Sequence, residues 1–229
     1  MAAKGLKFIA NLLKSNECRR VVCMVGAGIS TPFRSLYQFS LAGDGVYGSW
    51  DQHSNRSSRF SARLTPGTGL YDSLRDDELP YPEAVFEIQF FHRNPRPFFR
   101  LAKHLYPGLY PPNSAHWFAR LLQNRRILQR LYTQNIDGLE TIAGIQSENL
   151  VEAHGSFAHA TCLGCFEKYK ASDIKEAIFS DEIPTCKLCK NIVKPDIVFF
   201  GEMLPQRFTL SITDMALSDL LIVMGTSLE

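Results

Sequence analysis

A parallel α/β sheet covered by helices, with a small metal-held module inserted in it, is the fold class this sequence predicts. Three observations predict it. Short, nearly continuous apolar runs recur along the chain, and each closes on a small or polar turn. Segments with helical apolar spacing stand before or between some of them. Two Cys-x-x-Cys pairs interrupt the pattern. At 229 residues, 45% hydrophobic and 21% charged, the chain makes one large or two modest domains and buries enough surface to fold without disulfides.

Taken in order, Leu6 to Lys14 puts Leu6, Ile9, Leu12 and Leu13 on one face, which predicts an amphipathic core helix. Its lysines, Lys4, Lys7 and Lys14, also faintly resemble a mitochondrial presequence, but the segment has no arginine. Val21 to Val25 reads as a strand buried on both faces and ends at Gly26-Ala27-Gly28-Ile29-Ser30. A helix around His116 to Leu122 leads into a strand over Ile127 to Thr133, which ends at Gln134-Asn135. Leu150 to Ala153, Ile197 to Phe200 and Leu220 to Met224 complete five expected strands, closed by His154-Gly155, Gly201 and Gly225-Thr226-Ser227. In a parallel sheet such turns gather in one crevice at the strands' carboxyl ends.

Two stretches resist this pattern. Leu36 to Thr65 is rich in Ser and Gly and shows neither helical nor strand period. After Leu220 to Met224 only five residues follow, so the sheet is expected to be incomplete at the C-terminus, without a covering helix.

Composition narrows the classes. No apolar run approaches the roughly 20 residues of a membrane helix. A net charge of +2 creates no broad field for nucleic acid. The N-terminus has no secretory h-region, so the six cysteines fit a metal site in a reducing compartment better than a disulfide framework.

Cys162, Cys165, Cys186 and Cys189 carry the strongest chemical signal. Two thiolate pairs can converge on one tetrahedral Zn(2+), and four protein ligands leave no position for water, so such an ion is structural; an iron–sulfur centre or four unrelated buried or redox cysteines are the alternatives. The glycines of Gly26-Ala27-Gly28 permit close approach to a diphosphate, although an ordinary strand-to-helix turn reads the same way. Thr133-Gln134-Asn135-Ile136-Asp137 places amide and acid groups directly after a buried strand. They either serve a ligand or form an Asx-turn capping the next helix. His154 ends a short strand beside Gly155, where an imidazole can act as general base. His116 and His159 share no such setting and read as surface or packing residues. The run Val193 to Glu202 is either core strand or an edge able to pair with an extended peptide.

These motifs together, with Lys194-Pro195-Asp196-Ile197-Val198-Phe199-Phe200-Gly201-Glu202 and Gly225-Thr226-Ser227, resemble the sirtuins over residues 1–31 and 66–229. Details such as Leu79-Pro80-Tyr81-Pro82-Glu83-Ala84 look closest to the mitochondrial sirtuin-three branch, with cytoplasmic relatives next. The resemblance implies a Rossmann-type domain over 1–154 and 193–229, with 155–192 as the zinc module. It also implies NAD as cofactor and acetylated protein lysines as substrate, and points to a mitochondrial location, with cytoplasm or nucleus as the alternative.

The implied site residues follow the motifs. Gly26, Ala27, Gly28 and Ser30 would hold NAD phosphates, with Gly225, Thr226 and Ser227 meeting the cofactor from the other half of the sheet. Gln134, Asn135, Ile136 and Asp137 would shape the ribose and nicotinamide pocket, and Asn135 and Asp137 are expected to join His154 in catalysis. Phe33, Arg34 and Tyr71 would complete the cofactor loop. Phe86, Val198, Phe199, Gly201 and Glu202 would contact the acyl-lysine peptide. In sirtuin chemistry the acyl oxygen attacks the nicotinamide ribose, and the histidine then deprotonates a ribose hydroxyl, giving free lysine and O-acetyl-ADP-ribose.

The sequence departs from the family where Pro32 passes directly to Phe33-Arg34-Ser35. About five residues of the family's loop are missing there, up to about 17 Å of extended chain. That departure and the C-terminal ending both fall on the cofactor side and spare the zinc site. The rival readings are a zinc-bound sirtuin-like chain that only binds partners, and a protein ADP-ribosyltransferase using the same cofactor pocket.

Overall fold

The computed structural model describes residues 2–15, 17–30 and 79–226. The expectations for the loop over 36–65, for Phe33, Arg34 and Tyr71, and for Ser227 lie outside the described residues. The chain divides into two compact units: Met1–Gln38 with Tyr110–Gly155 and Leu204–Glu229, and Phe39–Leu109 with Ser156–Met203.

The first unit is built on a parallel sheet of β1 (Val21–Val25), β2 (Leu128–Thr133), β3 (Leu150–Glu152) and β7 (Leu220–Met224), in the order β3-β2-β1-β7. β1 is central and apolar throughout, with Val21, Val22 and Cys23 fully buried, as a strand covered on both faces requires. α1 (Ala2–Lys14) and α4 (Ser114–Asn124) supply one layer. Leu12, Leu13, Ala119 and Leu122 pack there with Val21, Cys23, Val25 and Leu131. On the opposite face Val22, Tyr132 and Val151 meet Phe208 of α7 (Gln206–Ser211) and Met215 of α8 (Thr213–Ala216).

Register turns this sheet into a platform. Val25 pairs with both Thr133 and Met224, and Thr133 pairs with Glu152, so four strands end side by side. The turns after them therefore emerge at one edge, as the reading of the apolar runs requires. An ion pair staples the opposite end: Asp219 accepts from the Arg19 and Arg20 amides and, at 2.9 Å, from the Arg20 guanidinium. On β7, Leu220, Ile222 and Met224 pack on the core, while Leu221 and Val223 are 44% and 38% exposed.

The second unit holds the cysteines. Its sheet has the order β5-β4-β6, from β4 (Gly155–Cys162), β5 (Lys168–Lys170) and β6 (Val193–Ile197). α2 (Ile88–Arg93), α3 (Arg96–Leu105) and α6 (Ala171–Phe179) belong to the same unit. The Tyr106 hydroxyl donates to the Ala171 carbonyl at 2.7 Å, and its ring packs on Phe157 and Phe179.

One expectation changes here. The strand expected over Ile197 to Phe200 lies instead over Val193–Ile197 and joins the three-stranded sheet, not the large parallel one. The aromatic run has a different use. Phe199 is 1% exposed and its ring stacks edge-on against Phe86, Phe91 and Phe98. Residues 193–203 group with the cysteine-bearing segment in the second compact unit.

Candidate functional site

The glycine turn after β1 is shaped by protein before any ligand is considered. A Cβ on Gly28 would lie 2.7 Å from the Gly225 Cα, and one on Gly26 would lie 2.7 Å from the Thr226 Cβ. Gly28 N donates to the Gly225 carbonyl at 2.8 Å. Gly225 itself sits at φ +67, where a Cβ would be 2.3 Å from the Ile29 amide. Glycine at these three positions thus answers to loop-on-loop packing, whereas the sequence reading offered Gly26 and Gly28 only a diphosphate contact or an ordinary strand-to-helix turn. Ala27 stays exposed on the rim of the short 3-10 turn Ala27–Ile29, and Ser30 is half-buried.

The polar residues after β2 close over this turn. Asn135 donates through Nδ2 to the Gly26 carbonyl at 3.2 Å and to Ser30 Oγ at 3.3 Å. Ser30 Oγ donates to Asp137 Oδ2 at 2.8 Å. Asp137 Oδ1 accepts from the Leu139 amide at 3.1 Å at the start of α5 (Leu139–Ile142). Asp137 therefore serves the capping turn that was the alternative reading, and it also aims Ser30. With Nδ2 so engaged, Oδ1 is the atom Asn135 can still offer a ligand. Ile136 is half-buried and brings no polar side-chain group.

His154 follows β3 and is exposed. Its Nδ1 lies 2.9 Å from the Gln134 carbonyl oxygen. A carbonyl only accepts, so Nδ1 carries a proton, and in the neutral ring Nε2 is the lone-pair atom. The same Gln134 is tied to β1 through its amide, which donates to the Val25 carbonyl at 2.9 Å. One turn thereby fixes both the orientation and the tautomer of the imidazole. Gly26, Gly28, Ser30, Gln134, Asn135, Asp137, His154, Gly225 and Thr226 all belong to the first unit. Neutral amides, a hydroxyl and one oriented carboxylate make a set of hydrogen-bonding groups that fits the amide and ribose groups of a nucleotide.

Sequence reasoning missed the layer beneath. Asn113 and His116 form a reciprocal capping box at the start of α4, and Asn113 Nδ2 also donates to the Ile29 carbonyl. His116 is 1% exposed, and its Nε2 has no hydrogen-bond partner among the described residues. The Asn-x-x-His spacing ahead of an apolar run was the available signal. Glu140 is likewise buried, accepting from Thr133 Oγ1 at 2.7 Å, while Thr133 Oγ1 accepts from the Asn135 amide at 3.0 Å.

In the second unit the four cysteine sulfurs lie within 4.8 Å of one another. Cys162 and Cys189 Sγ are 3.3 Å apart, and Cys165 and Cys186 Sγ are 3.5 Å apart. These separations exceed a disulfide bond and approach the roughly 3.8 Å edge of a tetrahedron with 2.3 Å zinc–sulfur bonds. Donors surround the sulfurs: the Gly164 amide to Cys162, the Leu188 amide and Tyr169 hydroxyl to Cys186, and Asn191 Nδ2 to Cys189. The Tyr169 phenol in particular pulls the Cys186 thiol below its ordinary pKa. Sulfurs that accept so many hydrogen bonds suit the thiolate form a metal needs. The residues fit one structural zinc.

The residues expected to meet a peptide also lie in this unit. Phe200 N donates to the Phe86 carbonyl at 2.8 Å, and Ile88 N donates to the Phe200 carbonyl at 3.2 Å. The Phe199 ring is core, so what this residue can offer a substrate is backbone. Val198 and Glu202 are half-buried, and Gly201 turns the chain at φ +92.

Comparison with known proteins agrees with this arrangement. The family model described as Sir2 family matches residues 63–229. The chain is 49% identical over 225 residues to the NAD-dependent protein deacetylase sirtuin-3 of Mus musculus, covering 98% of this chain and 60% of that protein. It is 44% identical over 227 residues to the NAD-dependent protein deacetylase sirtuin-2 of Danio rerio, covering 98% and 53%. To the NAD-dependent protein deacetylase hst2 of Schizosaccharomyces pombe it is 40% identical over 228 residues, covering 99% and 61%. The chain thus spans between 53% and 61% of the length of these curated relatives. A family match over most of the sequence, joined to a parallel-sheet turn cluster and a four-cysteine site, means that this chain belongs to the Sir2 family.

Proposed function

We propose that the chain is an NAD-dependent protein-lysine deacetylase. The observation that carries this reading is His154, whose Nδ1 is committed to the Gln134 carbonyl so that Nε2 is the basic atom. It stands at the end of the same sheet edge as Ser30, Asn135 and Asp137. NAD, when bound, would supply an electrophilic ribose carbon that takes the acyl oxygen as nicotinamide leaves. The chain's own residues do the rest. Ala27, Gly28 and Ser30 would hold phosphate, with Gly225 and Thr226 bracing the turn. Asn135 would orient the leaving amide through Oδ1, and Asp137 would keep Ser30 aimed. His154 takes up a proton at Nε2 from the hydroxyl that attacks the acyl group. Val198, Gly201 and Glu202 would grip the peptide, and Phe86 would line the path of the acyl-lysine chain. Zinc would hold the Cys162 to Cys189 segment and take no part in the chemistry.

Similarity to proteins named NAD-dependent deacetylases supports the assignment. Acetylated lysines in extended protein segments are the proposed partners. Resemblance to the mitochondrial branch favours that compartment, which subcellular fractionation tests. The activity test incubates zinc-loaded protein with an acetyl-lysine peptide and NAD. Nicotinamide and deacetylated peptide in equal amounts are expected, and both should be lost in His154→Tyr. Label passing from NAD onto protein without deacetylation would assign ADP-ribosyl transfer instead. No nicotinamide from folded, zinc-loaded protein would leave a binding role.

A further inference from the structure

Lys194 is an anomaly within the second unit: a lysine 6% exposed, in a strand whose other residues are mostly apolar. Its ammonium is fully employed. Nζ donates to the Ile197 carbonyl at 2.7 Å and the Pro195 carbonyl at 3.3 Å, and it lies 3.0 Å from Glu202 Oε2. It also stands over the Phe199 ring, 4.4 Å from the centroid. Glu202 Oε2 in turn accepts from the Phe199 amide at 2.7 Å, while the Glu202 amide donates to the Phe199 carbonyl at 3.0 Å.

These contacts bracket a single residue. Ile197 is held through its carbonyl on one side of Val198, and Phe199 is held through its amide, carbonyl and ring on the other. Phe200 has both backbone groups committed to the Phe86–Ile88 segment. Among the described residues, no hydrogen bond reaches the Val198 N–H or C=O. Val198 also borders a cavity of about 450 Å³ that Lys194 and Glu202 help to line. A residue with unspent main-chain groups, clamped before and after, is what an extended peptide needs in order to pair by strand addition. The clamp removes the ordering cost that a loose loop would charge to binding.

We propose that Lys194 is a positioning residue for peptide binding: its buried ammonium ties Ile197, Phe199 and Glu202 together and so presents the Val198 main chain to the acyl-lysine segment. This rests on the reading of Val198 to Glu202 as the peptide-gripping element. Lys194 does not touch the substrate; it acts through the turn.

The test uses zinc-loaded full chain and a fluorescent acetyl-lysine peptide, with affinity read by polarisation and backbone exchange by hydrogen–deuterium measurement. Lys194→Met should weaken peptide binding tenfold or more and speed exchange at the Phe199 and Glu202 amides, while zinc content and NAD affinity stay at wild-type values. Lys194→Arg, which keeps the charge and several donors, should recover most of the affinity. Peptide affinity of Lys194→Met within twofold of wild type overturns the role of Lys194 and leaves the peptide-gripping reading standing. Wild-type protein that binds no peptide overturns that reading, and this proposal with it. If Lys194→Met does not fold, wild-type exchange decides: Phe199 must exchange at least a hundredfold more slowly than Val198, and equal rates overturn the clamp.

Discussion

Glu140 makes a prediction that can be worked through from its surroundings. The carboxyl is 2% exposed and accepts one hydrogen bond, from Thr133 Oγ1. Burial first, and the neighbouring Asp137 second, push its pKa from 4.5 up to about 7, with the Thr133 bond pulling partly back. The folded protein therefore holds a proton that the unfolded chain releases at lower pH. Between pH 4.5 and about 7 the unfolded state binds fewer protons, so stability falls as pH rises through that window and stays reduced above it. At 1.36 kcal/mol per pH unit the loss is about 3 kcal/mol. Glu140→Gln keeps an oxygen that accepts from Thr133 and cannot ionise. It should be the more stable protein at pH 8 by about 2–3 kcal/mol and should match wild type within about 1 kcal/mol near pH 5. Urea midpoints for both proteins, taken from pH 5 to pH 8 with zinc present, give the difference curve. Titrating groups that do not interact with Glu140, the cysteines included, cancel in that difference. A flat curve, or a variant less stable than wild type at pH 8, would refute the argument that Glu140 is a buried neutral acid.

Two further predictions concern the glycine turn and the metal. Gly225→Ala forces a side chain into a left-handed backbone and against the Ile29 amide. It should cost about 1–3 kcal/mol from conformation alone and more from the clash. Gly108→Ala, at φ +92 with nothing within 4 Å, serves as the control for conformation alone, and equal melting shifts for the two would sink the packing argument. Stripping zinc with a tight chelator should unfold the segment from Thr161 to Ile192, because structural zinc contributes about 10–16 kcal/mol to comparable small sites. Hydrogen exchange reads this directly at the Cys162 and Cys186 amides, which donate to Glu167 and Asn191 carbonyls. Unchanged protection at both in metal-free protein would mean that the fold does not depend on the ion.

What the sequence revealed, and what it hid, follows from where each signal lives. β1 was legible because a strand buried on both faces must be apolar at consecutive positions, as Val21 to Val25 are. β7 shows the same apolar run over Leu220 to Met224, although Leu221 and Val223 are exposed. The zinc ligands were legible because Cys-x-x-Cys spacing is itself the geometry of a metal turn. The strand at β6 was misplaced because Ile197 to Phe200 is just as apolar as a central strand. Its apolarity serves a ring cluster with Phe86, Phe91 and Phe98, and nothing local announces those partners. His116, Glu140 and Lys194 escaped for a related reason. A buried polar or charged side chain looks like a surface one until its tertiary partners are known, and each of these finds at least one partner inside the fold.

The placement of β1 between β2 and β7 has a consequence for synthesis. Arg20 and Asp219, which close the base of this pair, stand 199 positions apart. On the ribosome, β1 emerges early and gains β2 midway, yet one of its flanks has no native neighbour until almost the whole described chain has been translated. The glycine turn after β1 shares that wait, since the Gly225 carbonyl that receives the Gly28 amide arrives with β7. Nascent chains should therefore depend on chaperone cover until β7 has emerged, and a chain stalled with β7 still inside the ribosome should engage such factors far longer than one stalled with β7 outside it.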